Sequence, residues 1–268
     1  MNFFRVFSQL GLLCSLLMLG ACGNGVGADN TTDPTTPTTT ATALSGAYQG
    51  TATASSGEKE FVSAITPAGK FYAMYFWSSI PDIYAGTVTL GVNGDATVST
   101  LRAFQNGANA GPYTATVTGA SSTAYVLSPV GFSVRTPSSF SATALSTTSD
   151  LSASAWTGTW SDSSLVGALA NQSLAFDSTG VLNNFNFFTS CSHASTTLSV
   201  QPISGASLYN VTLNIPQITG CVRTETTAVE MTGVAFIYPL TTVPGKTQRL
   251  DMVMVDSTGS GITFRGER

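Results

Sequence analysis

The sequence predicts an all-β protein built from two tandem, duplicated antiparallel β units, small barrels or sandwiches that could pack together, behind a disordered tether. Two observations predict it. From residue 44 onward, Thr, Val, Tyr and Phe alternate in short runs broken by Gly, Pro, Asn or Asp, and no stretch carries the 3.6-residue periodicity of an amphipathic helix. Sequence landmarks also recur at a nearly constant offset, the signature of an internal repeat.

The amino-terminal segment has the shape of an export signal. Met1 to Gln9 carries Arg5 as its only charged side chain, and Leu10 to Gly20 is almost wholly apolar or small. Eleven such residues reach only about 16 Å as a helix, roughly half the hydrocarbon core of a bilayer, so a cleaved signal over 1–21 is expected instead of a permanent span.

Leu19-Gly20-Ala21-Cys22 closes that segment and resembles the lipobox of bacterial lipoproteins. The resemblance implies that Cys22 becomes the mature amino terminus and carries acyl chains, which hold the protein to a membrane at about 0.8 kcal/mol per buried methylene. Gly23 follows in place of an inner-membrane-retaining aspartate, so the resemblance implies the outer membrane of a Gram-negative cell, facing the periplasm or the cell surface.

Cysteine usage is compatible with this address. Of four cysteines, Cys14 leaves with the signal and Cys22 takes lipid, leaving Cys191 and Cys221 as a candidate disulfide in an oxidising compartment. Closing that loop of roughly 30 residues would restrain the unfolded chain by about 3–4 kcal/mol.

Residues 22–43 comprise the lipidated cysteine and a tether. Gly-Asn-Gly-Val-Gly gives way to the run Thr31-Thr32-Asp33-Pro34-Thr35-Thr36-Pro37-Thr38-Thr39-Thr40, which has little apolar surface to bury. It would reach roughly 25 Å as a coil and about 65 Å if extended. Three Asn-x-Ser/Thr sequences, at Asn30, Asn171 and Asn210, carry no weight behind a bacterial lipobox.

The first β unit is expected over 44–154 and the second over 155–268. Gly46-Ala47-Tyr48 matches Gly158-Thr159-Trp160 at an offset of 112. The turn at Thr66-Pro67-Ala68-Gly69 matches Asp177-Ser178-Thr179-Gly180 at 111, Gly94 matches Gly205 at 111, and Val117-Thr118-Gly119 matches Met231-Thr232-Gly233 at 114. Strands through Val234, Phe236 and Tyr238, Arg249 to Asp256, and Ile262 to Arg265 form a terminal meander, with the tail Arg265-Gly266-Glu267-Arg268 guarding a sheet edge. The tethered tandem layout and glycine-bearing final strand are faintly similar to bilobed β-barrel surface lipoproteins of the transferrin-binding and factor-H-binding kind. Their host ligands are not carried over.

Only 9 % of residues are charged, with 10 Lys and Arg against 14 Asp and Glu, and no basic stripe appears, so nucleic acid is not an expected partner. Phe71 to Trp77 is apolar on both strand faces, with Phe71, Tyr75 and Trp77 on one side and Tyr72, Met74 and Phe76 on the other. One face must fill a core. The other packs on the second unit or offers a protein or glycan partner a surface of Tyr72, Met74, Phe76 and the adjoining Trp77.

No catalytic residues are assigned. Ser56-Gly57-Glu58-Lys59 matches Ser-x-x-Lys, but sits at a hairpin without the companion motifs of penicillin-binding enzymes. His193 is the lone histidine and lies beside Cys191. Cys191, His193 and Cys221 lack zinc-site spacing, and no calcium loop occurs, so no metal or cofactor is expected. Glu58 and Glu60 share a strand face, while Glu225, Glu230, Asp251 and Asp256 belong to neighbouring strands of the second unit. The leading expectation is a non-catalytic, membrane-anchored protein with a binding or envelope-structural role. The alternatives are a glycosidase-like envelope hydrolase using the second unit's carboxylates, or an accessory subunit of an envelope assembly.

Overall fold

The computed structural model describes residues 44–54, 57–78, 80–91, 95–105, 108–130, 139–151, 155–162, 167–183, 196–217, 227–257 and 260–268. Cys22, Cys191, Cys221, His193, Ser56, Gly94 and Glu225, with the signal and the whole tether, lie outside these residues. Sixteen strands account for most of what is described, and no α-helix occurs among the described residues.

Eight strands close the first barrel: β1 (Gly46–Ala54), β2 (Gly57–Ile65), β3 (Lys70–Tyr75), β4 (Asp82–Leu90), β5 (Ala96–Gln105), β6 (Ala108–Thr118), β7 (Ala124–Val130) and β8 (Phe140–Ala144). Each pairs antiparallel with the next, and β8 returns to β1 with Ala142 opposite Gly50. The second sheet repeats this plan with β9 (Trp156–Asp162), β10 (Gly167–Leu174), β11 (Val181–Asn183), β12 (Thr197–Pro202), β13 (Tyr209–Ile215), β14 (Val229–Pro239), β15 (Gln248–Val255) and β16 (Gly261–Glu267). Here too the last strand returns to the first, Gly266 opposite Gly158, but the order β10-β9-β16-β15-β14-β13-β12-β11 has no β10–β11 ladder among the described residues, so the second barrel is open there, a half-barrel beside the closed first one.

Local chemistry shows which positions are equivalent. Gly69 and Gly180 both have positive φ, 77° and 70°, and end matching turns. Each carbonyl then accepts a bond from a valine of the strand beyond, Val88 N at 2.7 Å and Val200 N at 2.8 Å. At the barrel closure, the true match to Gly50 is Gly158. A Cβ at Gly50 would collide with the Ser141 carbonyl, and one at Gly158 with the Arg265 carbonyl. Two residues earlier, Tyr48 Oη donates to Leu44 O (2.9 Å) and Trp156 Nε1 to Leu151 O (3.2 Å).

The offset there is therefore 108, correcting the expected pairing of Gly46 with Gly158 at 112. The match of Gly119 to Gly233 also fails. Gly119 turns the chain after β6 at φ 60°, whereas Gly233 lies within β14 opposite Met254. Glycine recurs for different reasons, a turn in one case and a close strand crossing in the other.

Alternation builds three cores from these strands. Tyr48, Phe61, Phe71, Tyr75, Tyr84, Tyr125 and Phe140 help fill the first barrel, where Phe140 meets the rings of Phe61, Tyr75 and Tyr84 at centroid distances of 4.6–5.7 Å. Trp156, Trp160, Leu213, Met252 and Phe264 belong to the core of the second barrel. The third core lies between the barrels: outward residues Val62, Ala64, Met74, Ile83 and Phe104 of the first meet Val234, Phe236, Tyr238 and Val253 of the second.

At Gly261 a Cβ would come within 2.7 Å of Ile83 Cδ1 and 3.3 Å of Phe104 Cβ, so the missing side chain eases the close approach of β16 to the first barrel. Each large apolar side chain buried at this junction contributes about 1.5–3 kcal/mol, enough in sum to hold the two barrels as one body. The charged tail guards no edge, because β16 is hydrogen-bonded on both sides, to β15 and β9.

Candidate functional site

β3 delivers its two faces to two different cores. Phe71, Ala73 and Tyr75 point into the first barrel, and Trp77 packs half-buried against the same core with its ring 6.3 Å from that of Tyr75. Met74 is 1 % exposed and lies in the junction, with Tyr72 and Phe76 packed partly buried against it. The surface expected to offer Tyr72, Met74, Phe76 and Trp77 to a partner is thus largely occupied by packing. Phe76 alone among them borders a cleft at the junction with an aromatic ring.

That cleft forms where β9 and β16 pass the end of β3. It measures about 340 Å³ and is lined by Met74, Phe76 and Pro81 on one side and by the outward hydroxyls of Thr157, Thr159, Ser161 and Thr263 on the other, with Arg265 and Glu267. The hydroxyls share a face because positions 157, 159 and 161 are two residues apart on β9, as are 263, 265 and 267 on β16.

An ion cluster forms the cleft's charged side. The Asp251 side chain is fully buried and receives Arg265 as a two-pronged fork, Nε to Oδ1 at 2.7 Å and Nη2 to Oδ2 at 2.9 Å. Tyr238 Oη donates to the same carboxylate at 2.8 Å. The remaining Arg265 nitrogen, Nη1, reaches Glu60 of the first barrel at 2.8 Å. Arg249 binds Glu267 through Nη2 at 2.6 Å and approaches Glu60 Oε1 at 3.7 Å.

A carboxylate without water must be matched charge for charge and bond for bond, and the planar guanidinium supplies both. Burial works against the Arg265 charge, but Asp251 foremost, together with Tyr238 and Glu60, more than offsets it and holds the guanidinium above its ordinary range. Burial, and then Asp251, push the Tyr238 hydroxyl well above the usual tyrosine value. The guanidinium also lies 3.8 Å from the centroid of the Phe76 ring, tying the cluster to the first barrel by a cation–π contact.

The other acids are dispersed. Glu58 and Glu230 are exposed on β2 and β14, and Asp256 accepts from Ser260 N at 2.8 Å in the β15–β16 turn. Glu60 and Asp251 do come together, but with Arg265 between them. Sequence reasoning missed the arginines. The available signal was pairing at i and i+2 on successive strands, Arg249 with Asp251 and Arg265 with Glu267, in a chain otherwise poor in charge.

The arrangement can hold a ligand that is apolar on one side and hydrogen-bonding on the other, while its carboxylates are already engaged by arginine. No family model matches the chain, and no curated protein or solved structure is significantly similar to it.

Proposed function

We propose that this chain is a lipid-anchored envelope protein, held at the outer membrane of a Gram-negative bacterium through Cys22, whose two-barrel body serves binding or envelope architecture and not catalysis. The observation that carries the reading is the state of the acids at the junction: Glu60, Asp251 and Glu267 each face an arginine, beside a cleft lined by hydroxyls and apolar side chains. General acid–base chemistry needs a carboxyl free to exchange a proton with substrate, whereas a neutralised cluster beside hydroxyls suits recognition. Both barrel cores are packed with side chains, which leaves recognition to the outer faces and to the recesses at their margins.

The address is tested by fractionating cells that express Cys22→Ala. The native protein should sediment with membranes and the variant should appear in the soluble fraction. Retention of the variant in membranes would sink the acyl-anchor reading. In the same preparation, nonreducing peptide mass analysis should show Cys191 joined to Cys221, and two free thiols would remove the disulfide from the proposal.

A further inference from the structure

The two barrels are sealed along one side of their junction and stand apart along the other. Val234, Phe236 and Tyr238 of β14 and Val253 of β15 pack on the first barrel, whereas the outward positions of β9 carry only Thr157, Thr159 and Ser161. In register beside these on β16 stand Glu267, Arg265 and Thr263. The docking face of one sheet thus passes from large side chains to hydroxyls, and the cleft of about 340 Å³ lies along that change. Its volume falls within the range of small-molecule sites.

The cleft is a slot that deepens along β9. Thr157 is exposed, Thr159 is half-buried, Ser161 is 5 % exposed, and Thr263 opposite Ser161 is 2 % exposed. The deep end lies beside Gly261, where Ile83 of the first barrel packs close. From Thr157 to Ser161 the floor runs about 13 Å at the rise of a strand. Half-buried Phe76 stands on the facing wall.

The groups at the open end are accessible and have bonding capacity to spare. Both bonds from Arg249 to Glu267 end on Oε1, at 3.1 and 2.6 Å, which leaves Oε2 of this 22 % exposed side chain to accept from a ligand. The threonine hydroxyls can each donate and accept. An anion would enter among the carboxylates of Glu60, Asp251 and Glu267, and a cation would have to sit beside the Arg265 guanidinium. A wholly apolar ligand would desolvate the hydroxyls, at about 1–3 kcal/mol for each one left unbonded. A neutral ring with hydroxyls at its edge and C–H groups on its face meets all of these conditions.

We propose that this slot binds a neutral saccharide, with the C–H face of a sugar ring on Phe76 and its hydroxyls bonded to Thr157, Thr159 and Glu267 Oε2. The proposal deepens the reading of the cleft as a recognition site and rests on it.

The test titrates the full mature protein, in detergent, by calorimetry. Maltose, cellobiose, lactose and N,N′-diacetylchitobiose are the neutral probes and digalacturonate the acidic one. At least one neutral disaccharide should bind. Thr157→Val and Thr159→Val, which keep the side-chain shape and remove the hydroxyl, should each weaken it about fivefold to tenfold at an unchanged unfolding temperature. Thr97→Val, at an exposed position of β5, should leave the affinity as it was. Binding of digalacturonate alone, or of no probe, would overturn the saccharide site. A disaccharide held at full affinity by the double variant Thr157→Val/Thr159→Val would overturn the slot as its site while leaving a binding role standing. Cleavage of a bound disaccharide, read as new reducing ends, would instead overturn the non-catalytic reading on which the proposal rests.

Discussion

Glu60 of β2 and Arg265 of β16 are separated by 205 residues in the chain and meet at 2.8 Å across the junction of the two barrels. The two ends of this contact are not equal. Glu60 keeps 31 % of its side chain in solvent, where an ion pair is worth about 1 kcal/mol or less, while Arg265 is held from behind by fully buried Asp251.

Removing the two partners should therefore have unequal effects. Arg265→Met strands a buried carboxylate and is expected to lower the unfolding free energy by about 3–5 kcal/mol, whereas Glu60→Gln should cost no more than about 1 kcal/mol. Urea denaturation of the two variants measures both. Adding Asp251→Asn to Arg265→Met should recover part of the loss, because it removes the stranded charge. Equal costs for the two single variants would contradict the burial asymmetry.

The junction core makes a second expectation. Phe236 is 1 % exposed and packs with Tyr238 against outward residues of the first barrel, not within its own barrel. Phe236→Ala should cost about 3–5 kcal/mol and weaken the coupling between barrels more than either interior. In differential scanning calorimetry the native protein should unfold in one transition and the variant in two. A single transition, simply shifted down, would place the cost inside one barrel.

Alternation made the fold legible, and the same property limited what could be read of the site. The pattern from Phe71 to Trp77 separates the residues of one face from those of the other, and the structure assigns each face to a core. What covers the outer face depends on how two barrels dock, which a period of two along a strand does not encode. Arg265 shows the same limit: beside the chain terminus it reads as an edge guard, and only the return of β16 to β9 makes it central. The Tyr-x-Gly-Thr of β1 and Trp-x-Gly-Thr of β9 are an equivalent pair present in the sequence, masked there by Gly46, which offers a competing Gly-x-aromatic match to Gly158-Thr159-Trp160.

Gly50 and Gly158 should prove intolerant of the smallest side chain. Both backbones cross the closing strand so closely that a Cβ would strike a carbonyl, so the barrel must open locally to admit it. Gly50→Ala and Gly158→Ala are each expected to cost at least about 1–3 kcal/mol, the usual range for overpacking a rigid neighbour. Thermal unfolding of the purified variants checks this, and a stability within about 0.5 kcal/mol of native for either would remove that glycine from the closure argument.

The buried tyrosines set an alkaline limit on stability. Tyr48 is wholly buried with its hydroxyl on Leu44 O, and burial raises it from 10.0 to about 12. Its neutral form is the one the fold accommodates. Below pH 10 the side chain is neutral in folded and unfolded chains alike, and its full contribution is present. Between pH 10 and about 12 the unfolded chain releases the proton while the folded chain keeps it, so stability falls by roughly 3 kcal/mol from this residue alone. Tyr125 and Tyr238 are raised in the same direction, Tyr125 chiefly by burial despite its bond to Ser63, and Tyr238 by burial and then Asp251. Phenolate absorbance followed from pH 9 to 13 should therefore show exposed tyrosines ionising first, and the buried ones only together with loss of the near-ultraviolet dichroism of the fold. Tyr48→Phe should shift that second step to higher pH, and an unchanged midpoint would exclude Tyr48 as a cause of alkaline unfolding.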